Sequence, residues 1–226
     1  FVYEGTYKYE DFNTSVNEKG ETVYKLKEGI PYYTANTQPG DPKYKNMDEN
    51  LQINDADKVA IGNGQPKHTG GFTNNFTYKN FDLNIFMTWS YGNDILNANR
   101  MIFENPSSKQ NTNMFATYVN RWTESNPYSD MPRAKAQGAG EYSSLYVEDG
   151  SFLKLKNITL GYNFKPKTLH PLHISSARVY VSAENIATIS SYSGSDPEVS
   201  TRNSVLTPGF DWSAYPRAFN LSLGLN

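Results

Sequence analysis

Hydrophobic residues recur at every second position in five separate segments of this 226-residue chain. The clearest segment is "FDLNIFMTWSYG", where Leu83 and Ile85 alternate with Asp82 and Asn84, and only Phe86 interrupts the pattern. Successive side chains of a β-strand point to opposite faces. The alternation therefore predicts a strand with one apolar and one polar face.

The other four segments alternate in the same way. They are "GGFTNNFTYKN", "VEDGSFLKLKNITLGYNF", "SARVYVSAENI" and "RAFNLSLGLN". Lys79 and Asn80 predict a tight hairpin turn between the first two strands. The later connections are in turn long, short and long. This spacing predicts an up-and-down antiparallel sheet with turns on one rim and large loops on the other, as in outer-membrane barrels.

The third segment changes its apolar parity halfway along. Leu153 and Leu155 are apolar at odd positions, whereas Ile158 and Leu160 are apolar at even positions. We expect a bulge near Lys156-Asn157 that exchanges the two faces where the strand rises above a membrane. The same hypothesis places the side chains of Lys154 and Lys156 in water.

Alternation by itself fits both a membrane barrel and a soluble β-sandwich or jelly roll. Two strands end in aromatic pairs, Trp89 with Tyr91 and Tyr162 with Phe164. Such pairs are typical of the aromatic girdles at membrane interfaces, which favours the barrel. No apolar run reaches the roughly 18 residues of a membrane helix.

The composition narrows the function classes. Hydrophobic residues make up 37% and charged residues 19% of the chain, which also contains 17 tyrosines. The absence of cysteine excludes disulfides and thiolate metal sites within these residues. A net charge of −2 argues against a nucleic-acid partner.

The remaining residues, 1–66, 101–146 and 189–211, are predicted to be loops. A short helix is predicted near 112–123, because Met114, Tyr118 and Trp122 recur at intervals of four.

The segment "NMDENLQINDAD" matches a calcium-loop template at the alternating positions where a hard cation needs oxygen ligands. The matching residues are Asn46, Asp48, Asn50, Gln52, Asn54 and Asp57. Leu51 stands where a glycine normally permits the sharp turn, and Asp57 is shorter than the usual glutamate. Both a calcium site and a plain Asn/Asp-rich turn remain open.

Catalysis has little support in the sequence. His170 and His173 fall in a predicted turn without a third metal ligand nearby. Glu148 and Asp149 are adjacent, so an extended chain points them to opposite sides, which does not suit paired acid–base chemistry. We therefore predict that the chain is not an enzyme.

Several stretches together resemble one family. They include "GDPKYKNMDENLQINDADKVAIGNGQPKHTGGFTNNFTYKNFDLNIFMTWSYGNDILN", "NRWTESNP", "YVEDGSFLKLKNITLGYNF", "RVYVSAENIATIS", "YSGSDPEVS" and "YPRAFNLSLGLN". Their order and spacing resemble the carboxy-terminal part of SusC/RagA-type TonB-dependent transporters over nearly the whole chain.

The resemblance implies an all-β fold that contributes the last five antiparallel strands to a 22-stranded transmembrane barrel. Residues 1–66 would form an extracellular loop and residues 67–226 the strands and further loops, with the plug domain absent. The family's calcium-like loop is richer in Asp and Gly than residues 46–57 are here.

The resemblance also implies partners and a location. The partners are the rest of the barrel and its plug, a SusD-like surface lipoprotein, TonB, outer-membrane lipid and an oligosaccharide or peptide substrate. The location is the outer membrane of a Gram-negative bacterium. Aromatic loop residues would contact the substrate, and the candidates are Tyr118, Trp122, Tyr128 and Trp212. The alternative function is a secreted, soluble carbohydrate-binding module with a β-sandwich.

Overall fold

The computed structural model describes residues 1–105, 113–199 and 207–226, apart from the side chain of Leu172. In chain order, its strands are β1 (Tyr3–Thr6), β2 (Phe12–Val16), β3 (Thr22–Leu26), β4 (Pro42–Tyr44), β5 (His68–Tyr78), β6 (Phe81–Tyr91), β7 (Asp94–Asn97), β8 (Val147–Asp149), β9 (Phe152–Asn163), β10 (Arg178–Ser190), β11 (Phe210–Asp211) and β12 (Asn220–Leu225). The α-helices are α1 (Ala98–Phe103) and α2 (Pro166–Leu169), and 3₁₀ turns cover Tyr9–Asp11, Asp55–Asp57, Ala116–Asn120, Ser144–Tyr146 and His170–Leu172. None of the helices in these ranges has the length and hydropathy of a membrane-spanning helix.

The chain divides into two compact units. The loop unit contains residues 1–62, 96–147 and 211–213, and the sheet unit contains residues 63–95, 148–210 and 214–226. Residues 96–147 thus fold with the amino-terminal segment, and the assignment of residues 1–66 to an extracellular loop stays a prediction. Residues 106–112 and 200–206 belong to the ranges predicted to be loops, and those parts of the prediction lie outside the described residues.

The sheet unit is built on one five-stranded antiparallel sheet with the order β12-β10-β9-β6-β5. These strands lie in the five alternating segments, which confirms the predicted strands and their up-and-down order. The turn between β5 and β6 consists of Lys79 and Asn80, as predicted, with Lys79 at a φ of 54°. Left-handed backbone of this kind matches the twist of a two-residue hairpin.

Cross-strand pairing gathers the apolar side chains on one side of the sheet, the apolar face. Leu83 pairs with Leu160, Leu160 with Val181, and Val181 with Leu223, so one apolar row crosses four strands. Partners in an antiparallel ladder point to the same face. This face is exposed within the sheet unit, and the exposed fraction of Leu223 is 79%. Asn74 on edge strand β5, opposite Ile85, interrupts it.

A bulge lies at Lys156, where the sequence predicted it. Asn157 pairs with Phe86 and Leu155 pairs with the next residue, Met87, so Lys156 is the extra residue on β9. The predicted exchange of faces is wrong, however. The extra residue shifts the parity of β9, so Leu155 and the apolar residues beyond the bulge stay on the apolar face. The prediction that the lysines lie in water is also wrong for Lys154, which is only 2% exposed.

The loop unit is held by aromatic packing and by tyrosine hydroxyls. Phe1, Tyr44 and Ile53 form a buried cluster. The hydroxyl of Tyr44 donates to the carbonyl of Gly138 at 2.6 Å, and buried Tyr146 likewise donates to a loop carbonyl. Burial and neighbouring acidic groups raise the pKa of both tyrosines far above the ordinary value. These residues therefore remain neutral donors that fix the loops.

Two features of the loop unit differ from the sequence predictions. Residues 1–66, predicted to be an irregular loop, contain the hairpin of β2 with β3 and the pair β1 with β4. The helix predicted for residues 112–123 is wrong over its described part, because only Ala116–Asn120 is helical, as a 3₁₀ turn. Short helices nucleate poorly, and β-branched Thr117 and Val119 disfavour extension.

Candidate functional site

The face of the sheet opposite the apolar face carries the polar residues, and we call it the polar face. Its members are fixed by register: Asp82, Asn84 and Thr88 on β6 pair with Gly161, Thr159 and Lys154 on β9. Near the middle of the sheet the side chains are uncharged and bonded to one another. Asn84 donates to Asn75 at 2.6 Å, and Asn157 donates to Ser182 at 2.9 Å. This face is suited to water and to polar ligands.

An open cavity of about 670 Å³ lies at the end of the polar face away from the Lys79 turn. This volume lies within the range of about 300–1,000 Å³ typical of ligand pockets. Its walls come from the sheet and from the segment that follows β10, and include Gly71, Phe86, Phe152, Pro197 and Glu198.

The cavity combines apolar and polar groups. Phe86, the residue that interrupts the alternation of β6, contributes an aromatic ring to it. Gly71 leaves that ring uncovered because it has no side chain. A Cβ at this position would lie 3.3 Å from the ring. The Thr88 hydroxyl is buried without a hydrogen-bond partner among the described residues. Lys156, Arg217 and Glu198 place charged groups of both signs at the cavity, which therefore suits a ligand with both an apolar face and hydrogen-bonding groups.

The turn end of the polar face is tied together by ionic contacts. Arg178 on β10 forms two hydrogen bonds to the carboxylate of Asp82 on β6, and Asn163 donates to the same carboxylate at 2.8 Å. Gly161 lies beneath the guanidinium, where a Cβ would approach it to 2.4 Å. These contacts join three strands, so we assign them to the stability of the sheet.

Two of the four predicted substrate-contacting aromatics are exposed in the loop unit. Tyr128 is 69% exposed and Trp212 is 45% exposed. The hydroxyl of Tyr128 donates to the Glu10 carboxylate at 3.0 Å, and this bond raises the pKa of the tyrosine. The ring of Tyr128 therefore presents a fixed aromatic face to solvent, as ring stacking on a sugar or side chain requires.

The other two aromatics are engaged in packing. The Arg121 guanidinium lies 4.7 Å from the ring centre of Tyr118, and partial burial raises the pKa of this tyrosine. Trp122 is buried, and its indole lies so close to Gly40 that a Cβ there would approach the ring to 2.4 Å. Tyr9 packs beside the same indole. We therefore assign Trp122 to the interior of the loop unit.

The predicted calcium loop is organised by its own backbone. The side-chain oxygens of Asn46, Asp48 and Asn50 each accept a hydrogen bond from the amide two residues later. Such bonds are typical of Asx turns. The described residues contain no cluster of three or more His, Cys, Asp or Glu side chains that could hold a metal ion. Gln52 and Asn50 are exposed, and ion binding remains a prediction.

Asp57 anchors this loop. It is fully buried, and its two carboxylate oxygens accept from the amides of Met47 at 2.7 Å and Asn54 at 2.8 Å. These two hydrogen bonds hold the pKa of Asp57 below its ordinary value. The loop geometry therefore needs a negative charge at residue 57.

The charged residues at the cavity are not evident from the sequence pattern. That pattern predicts Lys154 and Lys156 in water and places Asp196 and Glu198 in a loop. In the structure the two lysines contact the two carboxylates. The spacing of the two lysines was the available signal, because residues two apart in a strand point to the same face.

Comparison with known proteins gives consistent relatives. No protein-family profile matches the chain. TonB-dependent receptor P3 of Formosa agariphila is 34% identical over 204 residues, which is 88% of this chain and 20% of the receptor. TonB-dependent receptor SusC of Bacteroides thetaiotaomicron is 30% identical over 86% of this chain and 18% of the receptor. The chain thus spans about a fifth of the length of these relatives.

Solved structures agree on the fold. The RagAB peptide importer in its closed-closed state superposes with a TM-score of 0.67 and 22% identity, covering 99% of this chain and 22% of the solved chain. The open-open state of the same importer gives a TM-score of 0.66 and 24% identity, covering 99% and 21%.

Proposed function

This chain is homologous to TonB-dependent receptors of the SusC type over most of its length, and we propose that it forms a carboxy-terminal part of an outer-membrane importer. The observation that carries the proposal is the exposed apolar face of the sheet. A closed barrel places such a face against lipid and the opposite, polar face toward the lumen.

The dimensions of the sheet support this function. Strands β5 and β6 each contain 11 residues, which matches the roughly 9–11 residues that a tilted strand needs to cross a bilayer. The Lys79 turn marks the periplasmic rim on this proposal. The soluble sandwich would need a second sheet over the apolar face, whereas Leu221 and Leu223 of that face are exposed among the described residues.

The two edge strands support an incomplete barrel. Strand β5 pairs only with β6, and β12 pairs only with β10, within the described part of the chain. An unpaired strand edge in lipid leaves backbone amides and carbonyls without partners, which is very unfavourable. We propose that the rest of a 22-stranded barrel pairs with both edges.

The partners follow from the relatives. We propose a SusD-like lipoprotein as the external partner and TonB as the source of energy through a plug outside this chain. The chain itself has no catalytic role in this proposal. The substrate is an oligosaccharide or a peptide. The cavity on the polar face is one candidate contact in the sheet unit, and the exposed rings of Tyr128 and Trp212 are separate candidates in the loop unit.

Uptake by the full-length transporter tests the proposal. The test strain expresses the transporter together with its SusD-like lipoprotein. The probes are a fluorescent pool of oligosaccharides and a fluorescent pool of peptides. We expect one pool to enter only when the transporter is present, and Tyr128→Ala to reduce that uptake. Tyr128→Phe is the matched control, because it keeps the ring and removes only the bond to Glu10.

Cell fractionation and the uptake assay can each contradict this proposal. A full-length protein that is recovered in soluble fractions without detergent would overturn the membrane assignment. If the protein is in the outer membrane but cells take up both pools equally with and without it, the transport assignment is overturned.

A further inference from the structure

The segment that follows β10 folds back onto the polar face of its own sheet, and we call residues 191–199 the latch segment. Asp196 and Glu198 of this segment meet lysines of β9. The Lys154 ammonium lies 2.9 Å and 3.1 Å from the two Asp196 oxygens and 3.1 Å from Glu198 Oε2. Lys156 donates to Glu198 Oε1 at 2.8 Å, and Arg217 lies 3.6 Å from Glu198.

The latch segment is also ordered internally. The amide of Glu198 donates to Asp196 Oδ1 at 2.9 Å, which aims both carboxylates at the sheet. Ser193 donates from its amide and from its hydroxyl to the two oxygens of Glu148 at 2.7 and 2.8 Å. Tyr192 is buried. The carboxylates are therefore presented by a folded segment.

Burial makes these contacts strong. The Lys154 side chain is 3% exposed and that of Asp196 is 11% exposed. A buried ammonium is costly unless it is paired, and Met of similar length would fill the space without a charge. Burial opposes ionisation of Asp196 and Glu198. Hydrogen bonds and charge attraction from the lysines, with a backbone hydrogen bond at Asp196, together outweigh burial and hold the pKa of both carboxyls below the ordinary range. Both carboxyls are therefore ionised near neutral pH.

The bulge explains how β9 supplies two lysines without losing its apolar face. Lys154 pairs with Thr88 on the polar face. A bulged residue and its successor point to about the same side, so Lys156 and Asn157 both reach the polar face. Ile158 then returns to the apolar face opposite Ile85.

We propose that Lys154 and Lys156 are positioning residues for the cavity on the polar face. By holding Asp196 and Glu198, they fix Pro197 and Glu198 as one cavity wall. Loss of the lysine charges releases the latch segment from the sheet and opens that wall. The effect on uptake rests on the proposed function, whereas the effect on the segment does not.

Hydrogen exchange of the purified full-length protein in detergent tests the contact directly. In Lys154→Met we expect amides of residues 191–199 to exchange at least about tenfold faster, because charge-assisted hydrogen bonds are lost. Lys154→Arg should keep much of the protection. Lys165→Met is the matched control, since Lys165 is exposed in the turn after β9 and outside the cluster.

A second variant leaves the lysines of β9 in place. Asp196→Asn with Glu198→Gln changes only the latch segment and should accelerate exchange there as strongly, with β9 unchanged. It also decides the matter if Lys154→Met fails to assemble. In uptake, both variants should raise the apparent KM several-fold and keep the maximal rate.

The alternatives give distinct results. Unchanged exchange of residues 191–199 in the carboxamide variant would overturn the proposal, as would loosening of β9 in place of the segment. Faster exchange with an unchanged KM would show that the lysines hold the segment but not the cavity. Absence of uptake in the unmodified protein would refute the transport function and leave the exchange result standing.

Discussion

The substitution Ile85→Arg tests which face of the sheet meets lipid. Ile85 lies at the centre of β6 and pairs with Ile158 on one side and Asn74 on the other. It belongs to the apolar face, with four strand residues before it and six after it in β6, which begins at Phe81 and ends at Tyr91. If the strand crosses the bilayer, this position lies near the midplane.

The expected magnitude follows from depth. An arginine on the lipid face of a barrel costs about 2–4 kcal/mol at the midplane and about 0–1 kcal/mol near the interfaces. At about 1.36 kcal/mol per tenfold change, Ile85→Arg should reduce the folded-to-unfolded ratio by about 30-fold to 1,000-fold. Phe81→Arg, at the turn end of the same strand, should reduce it by less than about tenfold.

The assay is urea unfolding of the full-length protein in liposomes, monitored by the heat-dependent gel shift of folded barrels. Asn84→Arg is the matched control, because it introduces the same charge one residue away on the polar face. This control loses the hydrogen bond to Asn75, for which about 1 kcal/mol is expected. We predict that Ile85→Arg is the most destabilising of the three substitutions. Asn84→Arg should be at least as destabilising as Phe81→Arg.

Two outcomes would refute the assignment of the apolar face to lipid. The first is a larger loss for Asn84→Arg than for Ile85→Arg, which would place lipid on the opposite side. The second is a change of less than about 0.5 kcal/mol for Ile85→Arg, which is usual for a substitution on a water-exposed surface.

Four further predictions concern the loop unit, and the first three are measured by hydrogen exchange of that unit. Arg133 lies 2.7 Å from buried Asp41, so Arg133→Met should cost about 3–5 kcal/mol by leaving the carboxylate unpaired. Gly40 has a φ of 85° against the Trp122 ring, so Gly40→Ala should cost more than about 1 kcal/mol, whereas Gly20→Ala, with open space around it, should show only the backbone effect. The pKa of Asp57 is lowered, so its stabilisation is present above the ordinary value of 3.8 and is lost as pH falls through the lowered value; Asp57→Asn should remove this pH dependence. Calcium titration should give at most submillimolar to millimolar affinity. Tighter binding would contradict the expectation that Leu51 and the short side chain of Asp57 weaken the site.

The strands were predictable because their signal is local. Alternation over 11 residues in β6 and in β5 fixed both strands, and Lys79 with Asn80 fixed their turn. The position of the bulge was also predictable, because only an inserted residue reconciles Leu155 with Ile158 on one face. The contacts of the lysines were not predictable, because Lys154 binds Asp196, which lies 42 residues further along the chain.

The loop unit was less predictable for the same reason. Tyr44 and Tyr146 stabilise it by donating to carbonyls of a loop near Gly138, and no periodicity marks such contacts. The spacing of Tyr118 and Trp122 suggested a helix, but the buried indole of Trp122 packs on Gly40 through tertiary contact. Tertiary packing thus overrode the weak helical pattern.

The bulge at Lys156 connects the apolar and polar faces of the sheet. A regular strand with lysines at 154 and 156 would place residue 158 on the polar face as well, and Ile158 would leave the apolar row. The extra residue costs one irregularity in the ladder between Phe86 and Met87. In return, β9 presents two cations to the latch segment and an unbroken apolar row on its other side. The requirement for charge on one face and for apolar contact on the other is therefore sufficient to explain why the irregularity lies at this residue.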